Sequence, residues 1–124
     1  MTSAYRKGYQ FERQVFHLFM SAGYYVLRSA GSHGIFDLIA IKHSIPFGIQ
    51  CKYNNNITDI EKQSMIQAYY QFGIIPLYVY RFKRKPLCIL CLLDNKMISP
   101  EDIPKLPEMY KQYVLNHIFR ENYD

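Results

Sequence analysis

Apolar residues recur at helical spacing along the first part of the chain. Phe11, Val15, Leu18, Phe19 and Ala22 fall on one stripe, which predicts a helix over residues 3–22 that stops at Gly23. The pattern then shortens. Residues 24–29 read as a first strand, and the apolar runs 38–41 and 47–52 as a second and a third, joined by a connection of hairpin length at 43–46. After a loop at 54–56, Thr58 and Glu61 form a capping box that opens a second helix over 59–72, with Gly73 as its stop. Met65, Ala68, Tyr69 and Phe72 share one side of that helix, and Ile60, Ser64, Gln67 and Gln71 another. A fourth strand over 74–80 carries Pro76, which suits a strand start because a central proline loses a ladder bond. A basic turn at 81–85 and a strand over 87–92 follow. Ser99 and Pro100 open a short helix, and Met109, Tyr113, Leu115 and Ile118 mark a last one over 108–120. Helix, three strands, helix, further strands is the order of an α/β fold. It predicts a central mixed β-sheet flanked by helices, in which the early strands form a meander and the fourth returns through the second helix.

A chain of 124 residues has room for one core, so residues 1–124 are expected to form a single domain. No stretch approaches the apolar length of a membrane span, and the start, with Arg6 and Lys7 before polar residues, lacks a signal-peptide core. A cytoplasmic protein is expected, in the host's cytoplasm if the source is a virus. Cys51, Cys88 and Cys91 are odd in number and sit inside apolar runs, as reduced, packed thiols do. Cys88 and Cys91 have the spacing of a metal or redox pair, but a strand turns them to opposite faces and no second pair accompanies them. The net charge of +5 suits a phosphate-rich partner without requiring one.

Candidate chemistry gathers between Ser29 and Lys52. Gly31, Ser32, His33 and Gly34 make no regular element, and small side chains there let another backbone approach. Asp37 stands at the mouth of the second strand. Gln50 and Lys52, two apart on the third, share a face, and an antiparallel partner sets Asp37 near them. An acid, an amide and a lysine behind a glycine-rich loop suit metal and phosphate. Other polar residues remain open on the residues alone. Glu12, at the edge of the first helix's apolar stripe, has the position of an ordinary solvated acid. Arg28 is equally a phosphate ligand or a surface charge at a strand tip, Gln63 a site residue or a surface glutamine, and His33 a proton shuttle or an exposed loop histidine. Lys83, Arg84 and Lys85 either solubilise a hairpin tip or grip backbone phosphates.

Taken in order, Glu12, Ser32, Asp37 and Gln50-x-Lys52 resemble the PD-(D/E)xK nuclease superfamily. Within it the chain is most similar to the archaeal and archaeal-virus Holliday-junction resolvases, which are similar in length and open with Lys-Gly and Glu-Arg on a first helix, here Lys7-Gly8 and Glu12-Arg13. The resemblance runs through Gln63 and departs at Gln50, where the family has an acid. It implies a metal-dependent endonuclease that cuts four-way DNA junctions, acting as a homodimer on branched or duplex DNA, with no small-molecule cofactor. It implies Mg²⁺, replaceable by Mn²⁺, held by Glu12, Asp37, Gln50 and the backbone carbonyl of Cys51, with Lys52 orienting the attacking water and Ser32 completing the catalytic set. Lys7, Arg13, Arg28, Gly31, Ser32, His33, Gln63, Lys83, Arg84 and Lys85 then face DNA. Two alternatives accompany this expectation: a related nuclease of repair, defence or RNA processing, and a non-catalytic nucleic-acid-binding relative marked by the acid missing at Gln50.

Overall fold

The structure, a computed structural model, describes residues 3–29 and 34–123, with side chains over 6–29 and 34–120. Six strands form one sheet in chain order: β1 (Tyr25–Arg28), β2 (Leu38–Lys42), β3 (Ile45–Tyr53), β4 (Ile75–Arg81), β5 (Cys88–Cys91) and β6 (Lys96–Ile98). Every neighbouring pair is antiparallel except β3 and β4, which are parallel. A parallel pair needs a crossover, and helix α2 (Asp59–Phe72) supplies it. Helix α1 (Ser3–Ser21) precedes the sheet, and a 3₁₀ turn (Pro100–Lys105) and α3 (Leu106–Tyr123) follow it.

The two faces of the sheet carry separate cores. Phe11, Val15 and Phe19 of α1, with Leu106 and Tyr110 of α3, pack on Leu38, Phe47, Ile49, Leu77 and Ile89. On the opposite face Met65 and Ala68 of α2 pack against Phe36, Tyr78 and Leu92. Tyr69 reaches past the sheet to α3, where its hydroxyl donates to the Tyr113 carbonyl at 2.6 Å. The α2 cap is as expected: the Thr58 hydroxyl accepts from the Glu61 N–H at 3.1 Å, and Gly73 closes the helix at φ 74°.

Four elements differ from expectation. The β2–β3 connection is a two-residue turn, His43 and Ser44, both at positive φ, so Ile45 and Pro46 belong to β3. That paired left-handed geometry matches the twist of a tight hairpin. Pro46 precedes the β4 pairing, which begins at Phe47. β5 is shorter than 87–92, and β6 was not expected, because Lys96-Met97-Ile98 is too short to show a period. Helix α3 begins at Leu106, with Pro107 in its first turn, where a missing N–H costs nothing. Phe72, grouped with the buried side of α2, is exposed at the helix end.

Candidate active site

Strand direction brings the polar residues to one end of the sheet. Arg28 ends β1, Asp37 immediately precedes β2, Lys52 lies near the end of β3, and the β4–β5 turn carries Lys83, Arg84 and Lys85 at the same end. Gly8, Tyr9, Glu12, Arg28, Asp37, Gln50, Cys51 and Lys52 line a cavity of about 340 Å³ there. The site draws on both faces. Glu12 comes from α1, which covers the face carrying Cys51. Gln50 and Lys52, alternating with Cys51, belong to the face of Tyr78 and Tyr80, on which α2 packs.

Asp37 is fixed by backbone groups. Its N–H donates to the Ile49 carbonyl at 2.8 Å, its carbonyl accepts from the Ser29 N–H at 2.9 Å, and its Oδ2 accepts from the Cys51 N–H at 2.8 Å. The preceding Phe36 ring lies against the backbone of Gly48, where a Cβ would stand 2.6 Å from ring carbons. A strand glycine here makes room for that ring, and the ring aims Asp37 at β3.

The charges are arranged unevenly. Glu12 Oε1 accepts from Arg28 Nε at 2.7 Å, and the Arg28 guanidinium lies 4.6 Å from the centre of the Tyr9 ring. Lys52 Nζ stands 2.9 Å from Glu61 Oε2. Asp37 forms no ion pair among the described residues. Burial raises its carboxyl above the ordinary value. The Cys51 N–H and the Lys52 charge oppose the rise, while Glu12 and Glu61 add to it. Partial burial works against the charge of Glu61 too, but the Thr58 N–H and the Lys52 ammonium outweigh it and hold that carboxyl below its usual value.

A carboxyl with a raised folded pKa stabilises the fold below its unfolded pKa and loses that contribution as pH rises through the folded value. Ionised Asp37 therefore costs stability at neutral pH. Asp37→Asn is expected to raise the melting temperature of the metal-free protein near pH 7, with the difference shrinking as pH falls below the ordinary aspartate range. Thermal scans of both proteins across pH, in chelator, check this; an equal or lower melting temperature for the variant at pH 7 contradicts it.

The expected cluster of Glu12, Asp37, Gln50, Cys51 and Lys52 is therefore assembled, and Arg28 joins it. Gly31, Ser32 and His33 lie outside the described residues. Lys7 and Arg13 are exposed on α1, and Gln63 is exposed on α2; none of them lines the cavity. The α2 residue that reaches the site is Glu61, two positions earlier, whose signal in the sequence read only as a helix cap. Tyr9 was also missed; its signal was its place one helical turn before Glu12.

The cavity offers oxygen donors to a cation: the Asp37 and Glu12 carboxylates, the Gln50 amide and the Cys51 carbonyl. Among the described residues no three His, Cys, Asp or Glu side chains group closely enough to hold a metal ion alone. The set still fits a hard divalent cation, which prefers oxygen and keeps several waters. Asp37, half-buried near two other acids with no ion-pair partner of its own among the described residues, is where such a charge is wanted.

An acid at the mouth of a strand, set against an amide-x-lysine pair on a mixed sheet between helices, is an arrangement compatible with the nuclease class. Residues 3–112 match the family model of the archaeal Holliday junction resolvases, Hjc, and the chain belongs to that family. The crossover junction endodeoxyribonuclease Hjc of Methanocaldococcus jannaschii is 37% identical over 95 residues, covering 72% of this chain and 69% of that protein. The fold is similar to that of Archaeoglobus fulgidus Hjc, a Holliday junction resolvase from an archaeal hyperthermophile. The TM-score is 0.60 at 20% identity, over 81% of this chain and 88% of that one.

Proposed function

We propose that this chain is a divalent-metal-dependent endonuclease, using Mg²⁺ or Mn²⁺, that resolves four-way DNA junctions by hydrolysing one phosphodiester in each of two opposed strands. The observation that carries the reading is Asp37: a half-buried carboxylate, clamped by backbone, beside Gln50 and Lys52 and without an ion-pair partner among the described residues. Asp37, Gln50 and the Cys51 carbonyl would hold the cation, with Glu12 as a further ligand directly or through water. When bound, the ion neutralises charge at phosphorus and acidifies the attacking water. Lys52 orients that water and meets the charge that develops on the phosphoryl oxygens. Arg28 can exchange Glu12 for a phosphate, an acceptor of the same sign. The sequence pattern assigns the neighbouring phosphate to Ser32 and the amides of Gly31 and Gly34. The site of action is the compartment that holds the DNA, the cytoplasm. Among the described residues no helix is long and apolar enough to cross a membrane.

One chain carries one such site, so two symmetric cuts call for a homodimer. The central strands β4 and β5 bury Ile75, Leu77, Val79 and Ile89. Exposed apolar residues lie on α3 (Ile118, Phe119), on α2 (Ile60, Tyr70, Phe72) and on the edge strands β1 (Tyr25, Leu27) and β6 (Met97). The expected result is a dimer by light scattering that introduces paired nicks in a four-way junction and cuts linear duplex far more slowly. A monomer with and without DNA, or equal cutting of duplex, contradicts the reading.

The β4–β5 turn extends the positive surface beyond the cavity. Asn54 Oδ1 accepts from the Lys83 N–H at 2.6 Å, and Arg81 Nε donates to the Lys85 carbonyl at 3.1 Å, so the turn is braced from within. Lys83, Arg84 and Lys85 are exposed. Replacing all three with alanine is expected to weaken junction binding and to lower the slope of log affinity against log salt by about two to three, one for each lost phosphate contact. Fluorescence anisotropy over a salt series measures it. An unchanged slope removes the turn from the DNA surface.

A further inference from the structure

Lys52 is a long, flexible side chain, and its value in catalysis depends on where its ammonium stands as much as on its charge. Gln50, two residues before it on the same face of β3, is neutral and offers no charge to hold it. The opposite charge comes from α2. Glu61 Oε2 lies 2.9 Å from Lys52 Nζ, and Glu61 Oε1 accepts from the Thr58 N–H at 3.0 Å. The carboxylate is tied at both oxygens, one to backbone and one to the lysine. Its anchor is the capped end of a helix whose Met65 and Ala68 are packed in the core. Lys52 has three donors, so the bond to Glu61 leaves two for an attacking water and a phosphate oxygen. A capping-box glutamate that only closed its helix would have no need of the second bond.

We propose that Glu61 is a positioning residue for the cleavage reaction: from the cap of α2 it supplies the counter-charge that fixes the Lys52 ammonium at the cavity, which Gln50 cannot supply. The inference rests on the reading of Lys52 as a catalytic group. It gives the helix cap a second task, because the group that starts α2 also sets the reach of the lysine. Removing the charge while keeping the cap should therefore harm turnover and leave the grip on DNA alone.

The test uses the full chain as Glu61→Gln, Thr58→Ala, Lys52→Ala and the Glu61→Gln/Lys52→Ala double variant. Glutamine keeps an oxygen for the Thr58 N–H. Thr58→Ala removes the hydroxyl that accepts from the Glu61 N–H but leaves the Lys52 pair. In metal-free protein, acetic anhydride labelling read by peptide mass spectrometry should modify Lys52 several-fold faster in Glu61→Gln than in wild type or Thr58→Ala. In single-turnover cleavage of a saturating four-way junction with Mg²⁺, Glu61→Gln should be slower by on the order of tenfold or more, with junction affinity unchanged. Thr58→Ala should melt earlier yet cut at close to the wild-type rate. On the Lys52→Ala background, Glu61→Gln should add no further loss. If Lys52→Ala is slow while Glu61→Gln cuts normally, the inference falls and the active-site reading stands. An equal loss from Glu61→Gln with and without Lys52 also overturns it, because Glu61 then acts elsewhere. If Lys52→Ala itself cuts like wild type, both fall together.

Discussion

In metal-free buffer Asp37→Asn is expected to bind a four-way junction as well as wild type does, and with Mg²⁺ to cut it on the order of a thousandfold more slowly. The asparagine can still accept from the Cys51 N–H, so the hairpin and its turn keep their shape. What goes is the one cavity carboxylate without an ion-pair partner among the described residues. DNA affinity holds because Asp37 contributes repulsion, not attraction, toward phosphate. Glu12→Ala and Lys52→Ala are expected to slow cleavage severely too. Quenched-flow cleavage beside anisotropy on the same junction separates rate from grip. Cleavage at the wild-type rate by the Asp37 variant would sink the site assignment, and a parallel loss of binding would recast Asp37 as a structural residue.

Gln50→Glu should tighten binding of Mg²⁺ or Mn²⁺ to the free protein by about one to two orders of magnitude while retaining cleavage. With Gln50 the pocket presents an amide dipole where an acid would present a full charge, and Glu12 is already engaged by Arg28. Metal binding in wild type would then be weak until a DNA phosphate supplied an oxygen ligand and drew Arg28 away from Glu12. Metal and substrate become coupled, each raising affinity for the other by the same factor. Calorimetric titration of both proteins with and without an uncleavable junction measures that factor. Absence of cleavage by wild type under any divalent ion would instead make Gln50 the mark of a lost activity.

Much of this was legible because the signals were local. The apolar stripe of α1, the Thr58–Glu61 box and the glycines at 23 and 73 fixed helix identities and ends, since caps and periodicity act within a few residues. Asp37 and Lys52 could be placed together because a tight hairpin leaves little freedom of register. Relations across the sheet were harder. Nothing in the order of residues says that Arg28 pairs with Glu12, or that Glu61 rather than Gln63 turns toward Lys52. Those contacts depend on how α1 and α2 seat on opposite faces, which side-chain packing decides. β6 was missed for a related reason: three residues show no alternation, and its existence rests on pairing with β5.

The close approach of Phe36 to Gly48 bears on which changes this lineage can accept. A methyl group at position 48 meets an aromatic ring at 2.6 Å, and the ring is joined by one peptide bond to Asp37. Strand pairing and the core under α1 could survive such a change while the Phe36 ring shifted within the core under α2 and carried the carboxylate out of line. Glycine there would be held by selection as tightly as an acid, though it touches nothing that reacts. In a survey of tolerated variants, position 48 would pass for a member of the active site.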